Sequence, residues 1–310
     1  HALATGTIAA SGTLGILIPP SIMLIIMADL LSISVGTLFM AALAPGLLLA
    51  TCYLVYISTI AKIKPEVAPP LPAELLYVPK EELPSLLLKS FIPPVFLIAF
   101  IKGSILFGFA TPSEAGAVGA FGALFLGWVK GRLNWEFLKG VCEATGLTIA
   151  MIFFIIICAT AFAYVFRSLG GDDVVEGLVF GAGLDSWGLL FLIMGIVFVL
   201  GFILDWIEIT LIILPVFTPM VVGLDFGDHV GGEEMIFWFT ILVAINLQTS
   251  FLTPPFGYAL FYLKSIAPAE VKTTSIYKGI IPFVILQMSV LALVIWQPNI
   301  TLWLPRIVYD

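Results

Sequence analysis

The sequence contains too few charged residues to cover the surface of a water-soluble protein. Asp, Glu, Lys and Arg make up 11% of its 310 residues, whereas a soluble domain carries about 25%. Apolar residues make up 61%, and the mean hydropathy is +1.15. Lipid must therefore be the main solvent of the chain. The same composition excludes a disordered, coiled-coil or collagen-like protein.

Basic side chains and metal ligands are also scarce. The chain has 13 Lys and Arg against 20 Asp and Glu, a net charge of −7, which leaves no basic surface for nucleic acid. Its two histidines and its three cysteines, Cys52, Cys142 and Cys158, lack the spacing of a metal site. The sequence contains no phosphate-binding loop, zinc-protease motif or nucleophile elbow. We therefore predict neither an enzyme nor a bound organic cofactor.

Uncharged runs mark the membrane segments. A membrane-spanning helix needs roughly 20 apolar residues, and the long uncharged runs cover residues 2–28, 30–61, 144–166, 186–204, 235–263 and 279–305. With the shorter apolar stretches between them, they predict about eight membrane-embedded segments. Residues 62–89 are rich in proline and predict a loop, and residues 130–143 predict an amphipathic helix in the membrane plane. The predicted fold is an all-α polytopic membrane protein.

Two of the long segments contain a Pro-Pro pair near their middle. Proline donates no hydrogen bond and blocks the preceding helical turn, so we expect residues 11–21 and 246–257 to unwind inside the membrane. The carbonyl groups freed there need partners, and the hydroxyls of Thr13, Thr249 and Thr253 lie beside them. Such oxygens suit Na⁺, and interrupted helices in matching places of two halves indicate a transporter. The alternative is a proline kink that a Ser or Thr side chain repairs.

A third segment, residues 201–219, contains Asp205 and Glu208 within an apolar stretch. The apolar runs on either side are too short for two full spans. We therefore predict a re-entrant hairpin whose polar tip lies inside the protein. Acidic residues within a membrane usually mark an ion or substrate path. The alternative is that both acids cap a helix at the membrane interface.

Four motifs occur in the order and spacing of one known family. They are GTLGILIPPS at 12–21, TPSEAGAVGA at 111–120, GFILDWIEITLIILPVFTP at 201–219 and TSFLTPPFG at 249–257. In these motifs, and over nearly its whole length, the chain resembles the large membrane subunit, or permease, of the tripartite ATP-independent periplasmic (TRAP) transporters. Any one motif is weak evidence, whereas four in order are strong. The resemblance implies a multi-pass protein of the bacterial inner membrane.

The resemblance also implies an activity and partners. It implies an elevator-type importer of organic acids, with 2-oxo acids among the candidates, that is driven by Na⁺ and built from two inverted repeats. The implied partners are a small membrane subunit and a periplasmic solute-binding protein that delivers the carboxylate. Na⁺ is expected as the coupling ion, without a further cofactor. The family's first hairpin should precede residue 1, so we expect the chain to correspond to the family without its N-terminal portion.

On this basis the chain divides into seven predicted parts. A mobile transport domain would comprise the broken helix of the first repeat at 1–29, the re-entrant hairpin at 201–220 and the broken helix of the second repeat at 235–266. The remaining parts are scaffold helices at 30–129, the amphipathic arm helix at 130–143, membrane helices of the second repeat at 144–200 and a C-terminal membrane helix at 279–305.

The candidate site residues come from the two breaks and the hairpin. For Na⁺ they are Thr13, Asp205, Thr210, Thr249, Ser250 and Thr253. For substrate, which is expected between the hairpin tip and the breaks, they are Ser11, Gly12, Thr13, Pro19, Pro20, Ser21, Asp205, Glu208, Pro254 and Pro255.

Other functions stay open on the sequence alone. A stand-alone divalent-anion/Na⁺ symporter with a related elevator fold would need no binding protein. An anion channel would conduct without a Na⁺ gradient. A membrane-embedded enzyme would need a convergent acid/base or metal set.

Overall fold

The computed structural model describes residues 1–69, 72, 79, 82–181, 183–253, 257–268 and 270–309. The regular elements within these ranges are helices, and none of the described residues forms a strand. This confirms the predicted all-α architecture. The chain divides into two compact units, residues 1–59 with 152–310 and residues 60–151.

The helices vary widely in length, from a single turn to 34 residues. In chain order they are α1 (Ala2–Leu17), α2 (Ile22–Leu30), α3 (Val35–Ile63), α4 (Leu83–Leu86), α5 (Ile92–Leu106), α6 (Pro112–Val129), α7 (Trp135–Ser168), α8 (Gly171–Gly181), α9 (Ser186–Leu200), α10 (Trp206–Val222), α11 (Glu234–Leu252), α12 (Tyr258–Ile266), α13 (Thr273–Trp296) and α14 (Asn299–Tyr309), with a π-helical turn at Leu87–Phe91 between α4 and α5.

Six helical stretches among the described residues are long and apolar enough to cross a membrane. They are Ala2–Leu30, Val35–Ile63, Leu83–Ile105, Trp135–Ser168, Glu234–Leu252 and Thr273–Trp296. Two shorter apolar helices, α9 and α10, bring the membrane-embedded candidates in this part of the chain to the predicted number. The chain is thus a polytopic membrane protein.

Helix α11 forms the core of the larger unit. Every residue from Trp238 to Leu252 is buried, and helices α1, α9, α10 and α13 pack around it. Apolar residues occur on every side of α11, which suits such a central position. The polar residues of its last two turns, which precede the second Pro-Pro pair, are therefore held inside protein.

Helices α1 and α13 approach each other through glycine. A Cβ on Gly6 would lie 2.1 Å from the carbonyl oxygen of Gly279, and a Cβ on Gly279 would lie 2.0 Å from that of Ala2. Small residues let the backbones of membrane helices approach closely, which increases the dispersion attraction between them. This contact holds α1, the helix before the first Pro-Pro pair, against α13.

In the smaller unit, α5 packs against α6. A Cβ on Gly122 would lie 2.4 Å from Cδ1 of Leu97, so the leucine side chain rests against this glycine. Helix α6 begins with a capping box in which Glu114 Oε2 accepts a 2.8 Å hydrogen bond from the N–H of Thr111, whose hydroxyl accepts from the N–H of Glu114 at 3.3 Å. The family-like TPSE motif thus starts a helix.

The structure has no separate in-plane helix at 130–143. Residues 130–134 lie outside the helices, and Asn134 Oδ1 caps α7 by accepting a 2.7 Å hydrogen bond from the N–H of Phe137. Residues 135–143 are the first turns of the 34-residue helix α7. The sequence contains no proline between the amphipathic turns and the apolar run that follows, so the helix continues.

The predicted C-terminal helix at 279–305 also differs from the structure. Helix α13 begins earlier, at Thr273, and ends at Trp296, and a separate helix α14 follows. The carbonyl of Pro298 accepts hydrogen bonds of 2.9 and 3.1 Å from the N–H groups of Thr301 and Leu302, which start α14. Proline between two helical stretches separates them because it has no N–H to continue the first.

Candidate functional site

The first Pro-Pro pair interrupts a helix. Helix α1 ends at Leu17 and α2 begins at Ile22. The hydroxyl of Ser21 bridges the gap, since it donates to the carbonyl oxygen of Ile16 and accepts from the N–H of Leu24 at 3.4 Å. The helix is therefore broken, and a serine side chain satisfies one backbone group on each side of the break.

The second Pro-Pro pair stands between two further helices. Helix α11 ends at Leu252, Thr253 is extended, and α12 begins at Tyr258. Pro254 and Pro255, both predicted to bind substrate, lie outside the described residues. The half-helices after the two interruptions, α2 and α12, have the same length of 9 residues.

The hydroxyls before the second interruption are turned back into their own helix. Thr249 donates to the carbonyl of Ile245 at 2.8 Å, Ser250 to that of Leu247 at 2.9 Å, and Thr253 to that of Thr249 at 2.8 Å. A hydroxyl that donates its proton keeps two lone pairs on oxygen. These oxygens can therefore still bind a cation.

Helices α9 and α10 form a hairpin of two short arms. They contain 15 and 17 residues and contact each other across a turn at 201–205. Residues 201–220, predicted to form the whole hairpin, comprise only its turn and most of its second arm, and the first arm is α9. The turn presses against α11, because a Cβ on Gly201 would lie 2.0 Å from Oγ of Ser250.

The two acids of the hairpin form a capping box at the start of α10. Asp205 Oδ1 accepts a 2.8 Å hydrogen bond from the N–H of Trp206, and Glu208 Oε2 accepts one of 3.2 Å from the N–H of Asp205. Negative charge at a helix N-terminus interacts favourably with the helix dipole. The capping role weighed as an alternative therefore occurs, and Asp205 also lines a cavity.

A cavity of about 390 Å³ lies where α1, the hairpin tip, α11 and α12 meet. Gly12, Thr13 and Asp205, all predicted from the sequence, line it together with apolar side chains that include Trp206 and Phe251. This volume is within the range of small-molecule sites, which are mostly apolar with a few polar groups. The structure thus brings the first interrupted helix and the hairpin tip together at one cavity.

Other predicted residues do not line this cavity. Glu208 faces a second cavity of about 330 Å³, between α10 and α7. Thr210 is fully buried, and its Oγ1 has no hydrogen-bond partner among the described residues. The remaining predicted residues within the described ranges differ in burial: Pro19, Ser21, Thr249 and Ser250 are buried, Thr253 is half-buried, and Ser11 and Pro20 are exposed.

The sequence analysis missed Gln248. Its side chain is fully buried on α11, and Nε2 donates to Thr13 Oγ1 at 3.5 Å, so it joins the two interrupted helices. Its Oε1 has no hydrogen-bond partner within the described residues. The signal available in the sequence was an amide within a long uncharged segment, where polar groups are costly.

The ligand types at the site favour hard cations bound by neutral oxygens. The described residues contain no cluster of three or more His, Cys, Asp or Glu that could hold a metal ion. Near the cavity the polar groups are hydroxyls, an amide and the carboxylate of Asp205. Oxygen ligands of low total charge do not suit zinc or other transition metals.

Comparison with known proteins identifies the family. The model of the family described as "Tripartite ATP-independent periplasmic transporter, DctM component" matches residues 1–300. The chain belongs to this family. Family membership and the apolar helices together make it a multi-pass protein of the inner membrane. The family consists of transporter permeases rather than enzymes.

Several curated proteins are similar to this DctM-family chain. The C4-dicarboxylate TRAP transporter large permease protein DctM of Pseudomonas aeruginosa is 32% identical, over 99% of this chain and 68% of its own length. The 2,3-diketo-L-gulonate TRAP transporter large permease protein YiaN of Escherichia coli is 29% identical over 96% of this chain and 66% of its own length. The sialic acid TRAP transporter large permease protein SiaM of Vibrio cholerae is 29% identical over 98% of this chain and 67% of its own length. The chain thus spans about two thirds of the length of these relatives.

Proposed function

We propose that this DctM-family chain forms the membrane pathway of a Na⁺-coupled importer of organic acids. The observation that carries the proposal is the cavity of about 390 Å³ at which an interrupted helix, a hairpin tip and the two helices flanking the second Pro-Pro pair meet. Interrupted helices that meet at such a site are typical of secondary transporters. The relatives' names specify acids of different kinds, C4-dicarboxylate, 2,3-diketo-L-gulonate and sialic acid, which supports the organic-acid class.

Na⁺ would bind at the oxygens beside the interruptions. The hydroxyl oxygens of Thr249 and Ser250 are buried and keep lone pairs, and Thr210 Oγ1 is buried without a described partner. We propose that these groups, with Thr253 and Asp205, surround one Na⁺. Thr13, with its neighbours in the first break, would contribute to a second Na⁺ site.

The acid would bind between the hairpin tip and the interruptions. Helices α2 and α12 begin directly after the two interruptions, and the first N–H groups of a helix attract negative charge. Na⁺ would order the interrupted backbone and so complete the anion site, which makes the two binding events mutually favourable. Binding of Na⁺ should therefore raise the affinity for the acid, and the reverse should hold equally.

The movement and the partners are part of the same proposal. The segments at 1–29, 201–220 and 235–266 would move together as the transport domain of an elevator, and the remaining helices would serve as scaffold. A small membrane subunit would complete the scaffold. A periplasmic solute-binding protein would deliver the acid and largely select it.

Replacing the threonines before the second interruption tests the Na⁺ site. In full-length protein reconstituted into liposomes, Thr249→Val and Thr253→Val should raise the Na⁺ concentration needed for half-maximal uptake by about tenfold, since one contact to a charged group contributes about 1.5–3 kcal/mol. Uptake at a fixed, low Na⁺ concentration should fall in parallel. Na⁺ binding measured by calorimetry should weaken by a similar factor.

Thr240→Val is the matched control. Thr240 is fully buried on the same helix, and its hydroxyl donates to the carbonyl of Ile236 at 2.6 Å, but it lies more than two turns from the interruption. This variant should keep the Na⁺ dependence of the unmodified protein. An unchanged Na⁺ dependence in both Thr249→Val and Thr253→Val would refute the proposed site.

The alternative functions give different results in the same liposomes. A stand-alone symporter would take up the acid without the soluble binding protein. A channel would conduct the anion without a Na⁺ gradient. Uptake that needs both the soluble protein and the Na⁺ gradient supports the tripartite importer.

A further inference from the structure

Helix α10 remains helical through two prolines, Pro215 and Pro219. In an α-helix the N–H of residue 219 would donate to the carbonyl of residue 215. Proline at 219 has no N–H. The carbonyl oxygen of Pro215 therefore lacks its partner within the helix, and in an apolar environment an unpaired carbonyl is costly.

Arg167 supplies a donor to this carbonyl. It lies in the last turn of α7, and its Nη2 donates to the carbonyl oxygen of Pro215 at 3.2 Å. Hydrogen bonds from a guanidinium are stronger than those between neutral groups. The long side chain of arginine lets the contact form between helices that are not closely packed.

The region between α7 and α10 is loosely filled. The cavity of about 330 Å³ there is lined by Cys158 and Ala159 from α7 and by Glu208 and Ile212 from α10. Dispersion contacts across such a space are weak because partner atoms are missing. The hydrogen bond from Arg167 to Pro215 joins the same two helices beyond this cavity, about one turn along α10 from Ile212. It therefore has a large influence on the distance between the helices.

We propose that Arg167 is a positioning residue that holds the hairpin arm α10 at α7, by giving the Pro215 carbonyl the hydrogen bond that Pro219 withholds. Pro219 leaves the Pro215 carbonyl oxygen without a donor within the helix, and Arg167 donates a hydrogen bond to that oxygen. Because α10 begins at the cavity of the proposed transport site, its position sets that of Asp205. The effect on transport rests on the proposed function, whereas the effect on helix position does not.

Thiol cross-linking measures the helix position directly. Cys158 and Ile212 line the same cavity, so an Ile212→Cys variant carries one thiol on each helix. Cys52 and Cys142 are replaced by alanine to remove the other thiols. In the full-length protein in liposomes, Arg167→Met should lower the rate of cross-linking by a short bifunctional reagent about tenfold, the effect of losing one charge-assisted hydrogen bond.

Restoring the N–H of residue 219 separates the hydrogen bond to the Pro215 carbonyl from every other role of Arg167. In a Pro219→Ala background, the residue-215 carbonyl regains its partner within the helix, and Arg167→Met should change the cross-linking rate less than twofold. Pro215→Ala is the matched control, because the residue-215 carbonyl then still faces Pro219. In the Pro215→Ala background, Arg167→Met should again lower the cross-linking rate about tenfold. Arg167→Lys keeps a charged donor, so its cross-linking rate should lie between those of the unmodified protein and Arg167→Met.

Three results would overturn the proposal. The first is an unchanged cross-linking rate in Arg167→Met. The second is a decrease in that rate that Pro219→Ala does not remove. The third is a decrease that Pro215→Ala removes as well as Pro219→Ala does. If Arg167→Met fails to fold, the test is whether adding Pro219→Ala restores folding while adding Pro215→Ala does not. A correct helix position with no uptake in any variant would contradict the proposed function and leave the positioning role standing.

Discussion

The two Pro-Pro interruptions have similar sequences but different surroundings. The first follows a helix with one open side, where a Cβ on Gly12 or Gly15 would meet no atom within 4 Å. The second follows α11, which is buried on all sides from Trp238 to Leu252. One interruption therefore needs local side-chain support, while packing against neighbouring helices holds the other.

Hydrogen bonds follow the same division. At the first interruption the Ser21 hydroxyl reaches across the gap and bonds to both half-helices. At the second, the hydrogen bonds of the Thr249 and Thr253 hydroxyls among the described residues stay within their own helix. The oxygens at the second interruption are thus better placed to give a lone pair to a cation without losing a structural contact. This contrast supports the proposal that the threonines at the second interruption bind Na⁺.

The largest expected effect is at the contact that holds the first helix. Gly6→Ala would place a Cβ 2.1 Å from the Gly279 carbonyl oxygen, and a backbone atom cannot move aside as a side chain can. We expect a loss of at least about 1–3 kcal/mol of stability, the usual cost of overpacking. Thermal unfolding in detergent micelles measures this as a lower midpoint temperature.

Gly15→Ala is the control for this prediction. It lies on the same helix, and a Cβ there would meet no atom within 4 Å. Alanine is a better helix former than glycine by about 1 kcal/mol, so this variant should be as stable as the unmodified protein or more so. If Gly6→Ala were equally stable, α1 would not be held by the close approach to α13.

The sequence predicted some features of the fold well and others poorly. Lack of charge and the Pro-Pro pairs located the apolar helices and the ends of α1 and α11, because proline acts on the turn next to it. The sequence did not reveal that residues 135–143 continue into α7, since amphipathic and apolar turns can share one helix. Gln248 was missed because its role depends on contact with Thr13, 235 positions away in the chain.

An intermediate effect is expected at the bridge over the first interruption. Ser21→Ala removes the acceptor for the Leu24 N–H and the donor to the Ile16 carbonyl. Loss of such a cap costs about 1 kcal/mol, within a range of about 0.5–2. Thr253→Ala should cost less, because within the described residues its hydroxyl bonds to one group, the carbonyl of Thr249. Chemical unfolding of both variants compares them, and an equal or larger cost for Thr253→Ala would contradict the contrast between the two interruptions.

The smallest effect on stability, but an informative one, is expected for Gln248→Leu. The variant loses a long 3.5 Å hydrogen bond to Thr13 and also removes a buried amide oxygen that has no described partner. An unsatisfied buried polar atom costs about 1–3 kcal/mol, so the change should leave stability nearly unaltered or raise it slightly. Uptake should nevertheless fall, because the hydrogen bond that joins Thr13 on α1 to α11 is gone. Parallel measurement of the unfolding temperature and of the Na⁺ dependence of uptake separates the effect on stability from the effect on transport. A stable variant with unchanged uptake would show that the hydrogen bond between Gln248 and Thr13 does not contribute to transport.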